Sequence, residues 1–138
     1  MSCYVGSTSS ESGTNISLLK SIHCWDSSTQ TVSLTEVEGW AAEYSWMSIY
    51  FSGDVSSSGN AKLCAVTGLI PMSDFIAACN ATYPTEIYLP GPGLRTGSSY
   101  PLYTVRIIKD TSSTAYINEQ NSYSSSVGLR YLTLYGMK

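Results

Sequence analysis

His23, the single histidine of the chain, sits in the segment SIHCWD beside Cys24, with Asp26 close behind. A thiol, an imidazole and a carboxylate are the parts of a nucleophile, a base and its orienter. Neighbouring residues on a strand project to opposite faces, however, so His23 and Cys24 are not placed to meet. They read instead as a half-buried histidine beside a core cysteine. Glu36 and Glu38, in TVSLTEVEG, would share one face of a strand. A glycosidase needs two carboxylates roughly 5 to 10 Å apart, but this pair reads as solvated strand residues. Asp54 and Asn60 bring oxygens to SGDVSSSGN without the regular ligand spacing of a calcium loop. GPGLRTG, residues 91–97, has no Lys-Ser/Thr and no helix after it, so it is not a phosphate loop. Cys3, Cys24, Cys64 and Cys79 are widely spaced with no C-x-x-C, which signals neither a zinc ribbon nor a redox pair; all four are expected as reduced thiols. Asn15-Ile16-Ser17 and Asn80-Ala81-Thr82 match the glycosylation acceptor but carry no weight without an export route. The residues predict a non-enzymatic protein with no cofactor and no metal.

Composition points the same way. Charged residues make up 12 % of the 138 residues, about half the usual share, and polarity comes from Ser, Thr, Asn and Gly. Eleven tyrosines against two phenylalanines suit surfaces where a ring packs while its hydroxyl stays wet. A net charge of −3 with no Lys/Arg cluster argues against a nucleic-acid partner. The apolar runs fall far short of the roughly 20 residues that span a bilayer, so no membrane insertion is expected. MSCYVGSTSSESG lacks the basic and apolar regions of a secretory signal. The expectation is a chain kept in a cytoplasm or released within a particle.

The elements that must position these side chains follow from pattern. Residues 1–14 read as a flexible arm or attachment segment, and residues 15–138 as one domain. EYSWMSIYF, residues 43–51, is the clearest strand. Tyr44, Trp46, Ser48 and Tyr50 alternate with Ser45, Met47, Ile49 and Phe51, leaving both faces largely apolar. After the loop SGDVSSSGN the chain returns as AKLCAVTG. NISLLKSIHCW, the start of TVSLTEVEG, TEIYL, LYTVRIIKD, TAYINE and VGLRYLTLYGM supply further strands. Residues 71–84 hold the one helical candidate, with Ser73 capping DFIAAC and Asp74 near its N-terminus. Seven or eight short strands predict an all-β fold: an antiparallel β-sandwich, jelly-roll-like, with at most one short helix.

LYTVRIIKDTSSTAYINEQ followed by SSVGLRYLTLYGM resembles the C-terminal β-domain of bacteriophage tail-fibre and related virion proteins, and IYFSGDVSSSGNAKL is similar to hairpins of the same proteins. The resemblance covers roughly residues 40–138. It implies a homotrimeric β-sandwich used for host attachment, display or capsid decoration, and it brings no catalytic residues. The short arm, where a fibre has a long shaft, favours a small stand-alone virion component.

The reading is a virion structural protein, made in the host cytoplasm, whose partners are itself as a homotrimer, other virion proteins, and a host surface glycan or protein. Tyr44, Trp46 and Tyr50 are the expected oligomer contacts. Arg95, Tyr100 and Tyr123, the large side chains of the Gly/Ser/Pro loops, are the expected binding residues at a loop tip. A carbohydrate-binding module and a bacterial surface or filament subunit are the alternative readings.

Overall fold

The computed structural model describes residues 15–54, 62–89, 103–121 and 129–138, with backbone alone at 54, 62, 63 and 121. In chain order the elements are β1 (Ile16–His23), α1 (Ser27–Gln30), β2 (Thr31–Ser33), α2 (Leu34–Glu43), β3 (Trp46–Asp54), β4 (Lys62–Val66), β5 (Ile70–Pro71), α3 (Met72–Asn80), β6 (Thr85–Tyr88), β7 (Tyr103–Lys109), β8 (Thr114–Asn121) and β9 (Arg130–Met137). Two antiparallel sheets pack face to face. One has the order β1-β9-β3-β4, with β5 paired to β3; the other has the order β2-β8-β7-β6. The predicted all-β sandwich is the observed architecture. The strand order does not support the jelly-roll expectation: β6-β7-β8 is a meander and β3-β4 a plain hairpin, where a jelly roll would interleave Greek keys.

The core lies between the sheets. Ile22, Met47, Ile49, Phe51, Leu132 and Leu134 come from the five-stranded sheet; Val32, Val105, Ile107, Ala115 and Ile117 come from the other. All are buried, and the period of two along β3, β7 and β9 is what delivers them. At one end α2 and α3 close the sandwich, with the Trp40 and Phe75 rings 6.3 Å apart. At the other end lie the strand ends that bound residues 55–61, 90–102 and 122–128. There Arg130 Nη1 meets Glu119 Oε2 at 2.8 Å, both side chains nearly buried between the sheets.

Three helices stand where one was expected. Leu34, Glu36 and Glu38, read as strand residues, belong to α2. Ser33 caps it, its Oγ accepting from the Glu36 amide at 3.0 Å. Val37 and Trp40 then fall on one helical face and enter the core. Ser-x-x-Glu is a helix-start signature that outweighs the brief alternation of Val32 and Leu34. Glu36 and Glu38 consequently diverge on the exposed side of a helix instead of sharing a strand face. Asp26 caps the one-turn α1 within the expected turn DSSTQ. In α3 the helix starts at Met72 after Pro71, so Ser73 is a helical residue and not the cap. Pro fixes the backbone angle that the entry requires.

Tyr44 also departs from expectation. The strand begins at Trp46, and Tyr44 ends α2 with its amide donating to the Trp40 carbonyl at 2.8 Å. Its ring is buried over Gly136, where a Cβ would stand 2.7 Å from Tyr44 Cγ and 2.9 Å from Leu19 Cδ1. Tyr44 is core, not surface. The bare backbone of Gly136 is what lets the ring lie down on β9. Gly53 is the second obligatory glycine: at φ 155° it carries the end of β3 past the Leu129 carbonyl and Arg130.

Candidate functional site

The outward residues of the five-stranded sheet can be read from its register. On β1 and β9, Ile16 faces Met137 and Leu18 faces Tyr135; a bulge between Leu18 and Lys20 then resets the pairing, so that Ser21 faces Thr133 and His23 faces Tyr131. On β3, Trp46 faces Met137, Ser48 faces Tyr135, Tyr50 faces Thr133 and Ser52 faces Tyr131. On β4, Val66 faces Tyr50 and Cys64 faces Ser52. Cross-strand partners share a face, so these fourteen residues form one continuous surface. None of these fourteen is Asp, Glu, Lys or Arg, and the same alternation carries the face on to the cross-strand pair Asp54 and Lys62 where β3 ends and β4 begins.

The face changes character along its length. Toward the helix end it is apolar: Ile16, Leu18, Trp46 and Val66 are 55, 60, 39 and 48 % exposed. Ile16, Ser48, Tyr50, Val66, Tyr135 and Met137 line a groove of about 390 Å³. Ser48 forms its floor; its hydroxyl donates to the Thr67 carbonyl at 3.3 Å, which leaves the groove an apolar lining. A side-chain hydrogen bond with Cys64 holds the Tyr50 phenol above its ordinary pKa, with partial burial adding to it. The ring therefore stays neutral, and so does the face.

Toward the opposite end the face finishes in three rings. His23 and Trp25 stack with centroids 5.0 Å apart and planes at 16°, and Tyr131 meets His23 at 5.4 Å and 84° and Trp25 at 5.1 Å and 87°. Trp25 occupies the turn between β1 and α1, and that turn is tied down. The Asp26 amide donates to the His23 carbonyl at 2.9 Å, the His23 amide to Thr29 Oγ1 at 2.8 Å, and the Cys24 amide to the Arg130 carbonyl at 2.9 Å. Asp26 Oδ1 accepts from the Ser28 hydroxyl at 2.7 Å and the Ser28 amide at 3.0 Å, and these bonds hold its carboxyl below the usual range.

The outer face of the four-stranded sheet is built differently. Glu86 faces Arg106 across β6 and β7, and Thr104 Oγ1 donates to Glu86 Oε1 at 3.1 Å. Gln30, buried at the sheet edge, donates from Nε2 to Asn118 Oδ1 at 2.6 Å and accepts from the Tyr116 hydroxyl at 2.8 Å. Polar groups here are satisfied by one another.

Of the expected contact residues, Trp46 and Tyr50 lie on the open face and Tyr44 lies beneath it in the core. Arg95, Tyr100 and Tyr123 lie outside the described residues, as do Cys3 and Asn60. The strand ends that bound their segments, Tyr88 and Tyr103, Asn121 and Arg130, gather at the end of the sandwich away from α2 and α3. His23 and Cys24 are separated: His23 joins the rings outside, while Cys24 packs against the core beside Glu119 and Arg130. Burial pushes the Cys24 thiol up to about 11 and the Cys79 thiol to about 12. Among the described residues, no three His, Cys, Asp or Glu side chains converge as a metal site would require. The ring trio was missed by sequence reasoning. HCWD shows a tryptophan beside a helix cap, but its link to Tyr131 depends on pairing across most of the chain.

Comparison of the chain with protein-family models, curated proteins and solved structures finds no match.

Proposed function

We propose that this chain is a non-enzymatic structural protein that assembles with copies of itself through the apolar half of the open sheet face, as a component of a virion. The observation that carries the assembly reading is that the half of the face toward the helices exposes Ile16, Leu18, Trp46 and Val66 together and has no Asp, Glu, Lys or Arg among their register partners. Such a face meets its own copy with no like-charge repulsion and buries no unpaired ion. Covering the exposed halves of those four side chains contributes about 3–6 kcal/mol per copy. That is large enough to count against an association cost of about 4–15 kcal/mol. The polar outer face of the other sheet has no such gain to offer.

The virion part of the reading rests on the resemblance of LYTVRIIKDTSSTAYINEQ and SSVGLRYLTLYGM to phage fibre β-domains. These segments contain the β7-β8 hairpin and the strand β9. A homotrimer is the order that the resemblance implies. Light scattering of the full chain at micromolar concentration tests assembly: a mass of three chains is expected, and a monomer at tens of micromolar overturns it. Recovery of the chain in particles banded on a density gradient checks the virion placement.

A further inference from the structure

We propose that Trp25 and Tyr131, oriented by His23, form a saccharide-binding platform at the end of the sheet face remote from the apolar groove. The platform goes beyond the assembly reading and does not depend on it. Tyr131 and Met137 mark the two ends of β9, about 20 Å apart at strand spacing, so the two surfaces are separate.

Four observations support a ligand here. Trp25 is 50 % exposed although it sits in a turn whose backbone is fixed by hydrogen bonds at His23, Cys24 and Asp26. A large exposed ring on a rigid turn is pre-organised for contact and gives up little freedom on binding. The stack with His23 and the perpendicular Tyr131 fix the ring's orientation further. The surroundings are hydroxylic: Ser52 is the cross-strand partner of Tyr131, Ser21 and Thr133 form the next pair along, and Ser28 and Asp26 flank the turn.

The ligand class follows from that chemistry. A sugar ring offers an apolar C–H face to an aromatic ring and hydroxyls around its rim, and the platform supplies a counterpart to each. The three rings touch one another, so no space is left between them to cage a cation. The carboxylate of Asp26, held ionised by Ser28, disfavours nucleic acid and acidic sugars. It accepts hydrogen bonds from neutral hydroxyls or an amino sugar. The class is therefore a neutral or amino saccharide.

The test is affinity electrophoresis of the full chain in gels containing dextran, yeast mannan, glycol chitin or alginate. Retardation by at least one of the first three, and none by alginate, is expected. Trp25→Ala and Tyr131→Ala should each weaken it about tenfold, while Trp25→Phe retains most of it and Tyr83→Ala, at an exposed position between α3 and β6, leaves it unchanged. Circular dichroism confirms that each variant is folded; the ring-preserving Trp25→Phe supplies the comparison if Trp25→Ala is not. No retardation by any neutral polysaccharide, or equal retardation of the parent and Trp25→Ala, overturns the proposal. So does alginate binding. A Trp25-dependent contact with a protein but with no polysaccharide likewise overturns it and reassigns the rings to a protein partner.

Discussion

Gln30, Asn118 and Tyr116 use one another's hydrogen-bonding groups on the outside of the four-stranded sheet, whereas Trp46, Tyr50 and Tyr135 face outward on the five-stranded sheet with aliphatic neighbours. Both surfaces come from the same alternation, in which every second residue must point away from the core. On the first, those residues are mainly amides, hydroxyls and one opposed charge pair, with Ile108 and the Tyr88 ring among them, so most of the surface is complete in water. On the second, the half toward the helices is made of rings and aliphatics over Ser48, and Ile16, Leu18, Trp46 and Val66 are exposed among the described residues. Contiguous exposed apolar surface of this kind is the usual mark of a contact surface.

The comparison breaks most sharply under a charge. Tyr50→Glu places a carboxylate in the middle of the open face. An unpaired ion in a closed contact costs about 3–5 kcal/mol, which weakens association by more than about a hundredfold. Tyr88→Glu makes the same chemical change on the other outer face, where Tyr88 is already 65 % exposed, and should leave association unaltered. Sedimentation velocity reads both. If the two variants dissociate alike, the faces are not distinct.

Gly136→Ala acts beneath the open face. Its methyl would collide with the Tyr44 ring, and overpacking of this kind costs about 1–3 kcal/mol, read as a lowered midpoint in urea. Gln30→Ala acts on the closed side and removes three hydrogen bonds at a buried site, those with Asn118, Tyr116 and the Cys24 carbonyl. The expected loss is about 2 kcal/mol of stability, with no change in the mass of the folded protein by light scattering.

Thiol labelling sharpens the same contrast with a smaller effect. Cys64 is exposed on the open face, while Cys24 and Cys79 are not exposed. With thiols raised to about 11 and about 12, Cys24 and Cys79 hold at most about one thiolate per thousand near pH 8. Each unit of added pH should speed their alkylation about tenfold until the thiol titrates. Cys64 should react first in dilute protein, and several-fold more slowly once the chain assembles. Last and smallest, raising salt to about 0.5 M should leave association nearly unmoved, because the groove half of that face has no charged lining residue to be screened.

Much of this frame was legible in the residues. The β7-β8 hairpin followed from β-branched runs around Thr111-Ser112-Ser113, and the structure closes that turn with the Asp110 amide bonded to the Thr114 carbonyl at 2.9 Å. The two apolar faces of β3 followed from its alternation, and Trp46 and Tyr50 with them. The helix α2 was legible too, through Ser33 and Glu36, but two alternating apolar residues masked a period that shows only when Val37 and Trp40 are read together. The order of strands was not legible. Nothing local in YLTLY says that it runs between β1 and β3, and without that the rings of Trp25 and Tyr131 cannot be placed together.

The position of β9 has a consequence in time. It is the last of the described strands in sequence, yet it lies between β1 and β3, and the Lys138 amide donates to the Asn15 carbonyl at 3.0 Å. Pairings of such sequence separation place the fold among the slow ones, in milliseconds to seconds. While the chain is still being made, β1 and β3 have no strand to join them, and their edges and inner faces stay uncovered. The sandwich can close only after the ribosome has delivered the final strand. The face that would recruit other copies is completed in that same event, since Tyr131, Thr133, Tyr135 and Met137 are part of it. A chain interrupted before β9 has neither a closed core nor a finished face, so topology withholds that face from any contact until β9 is in place.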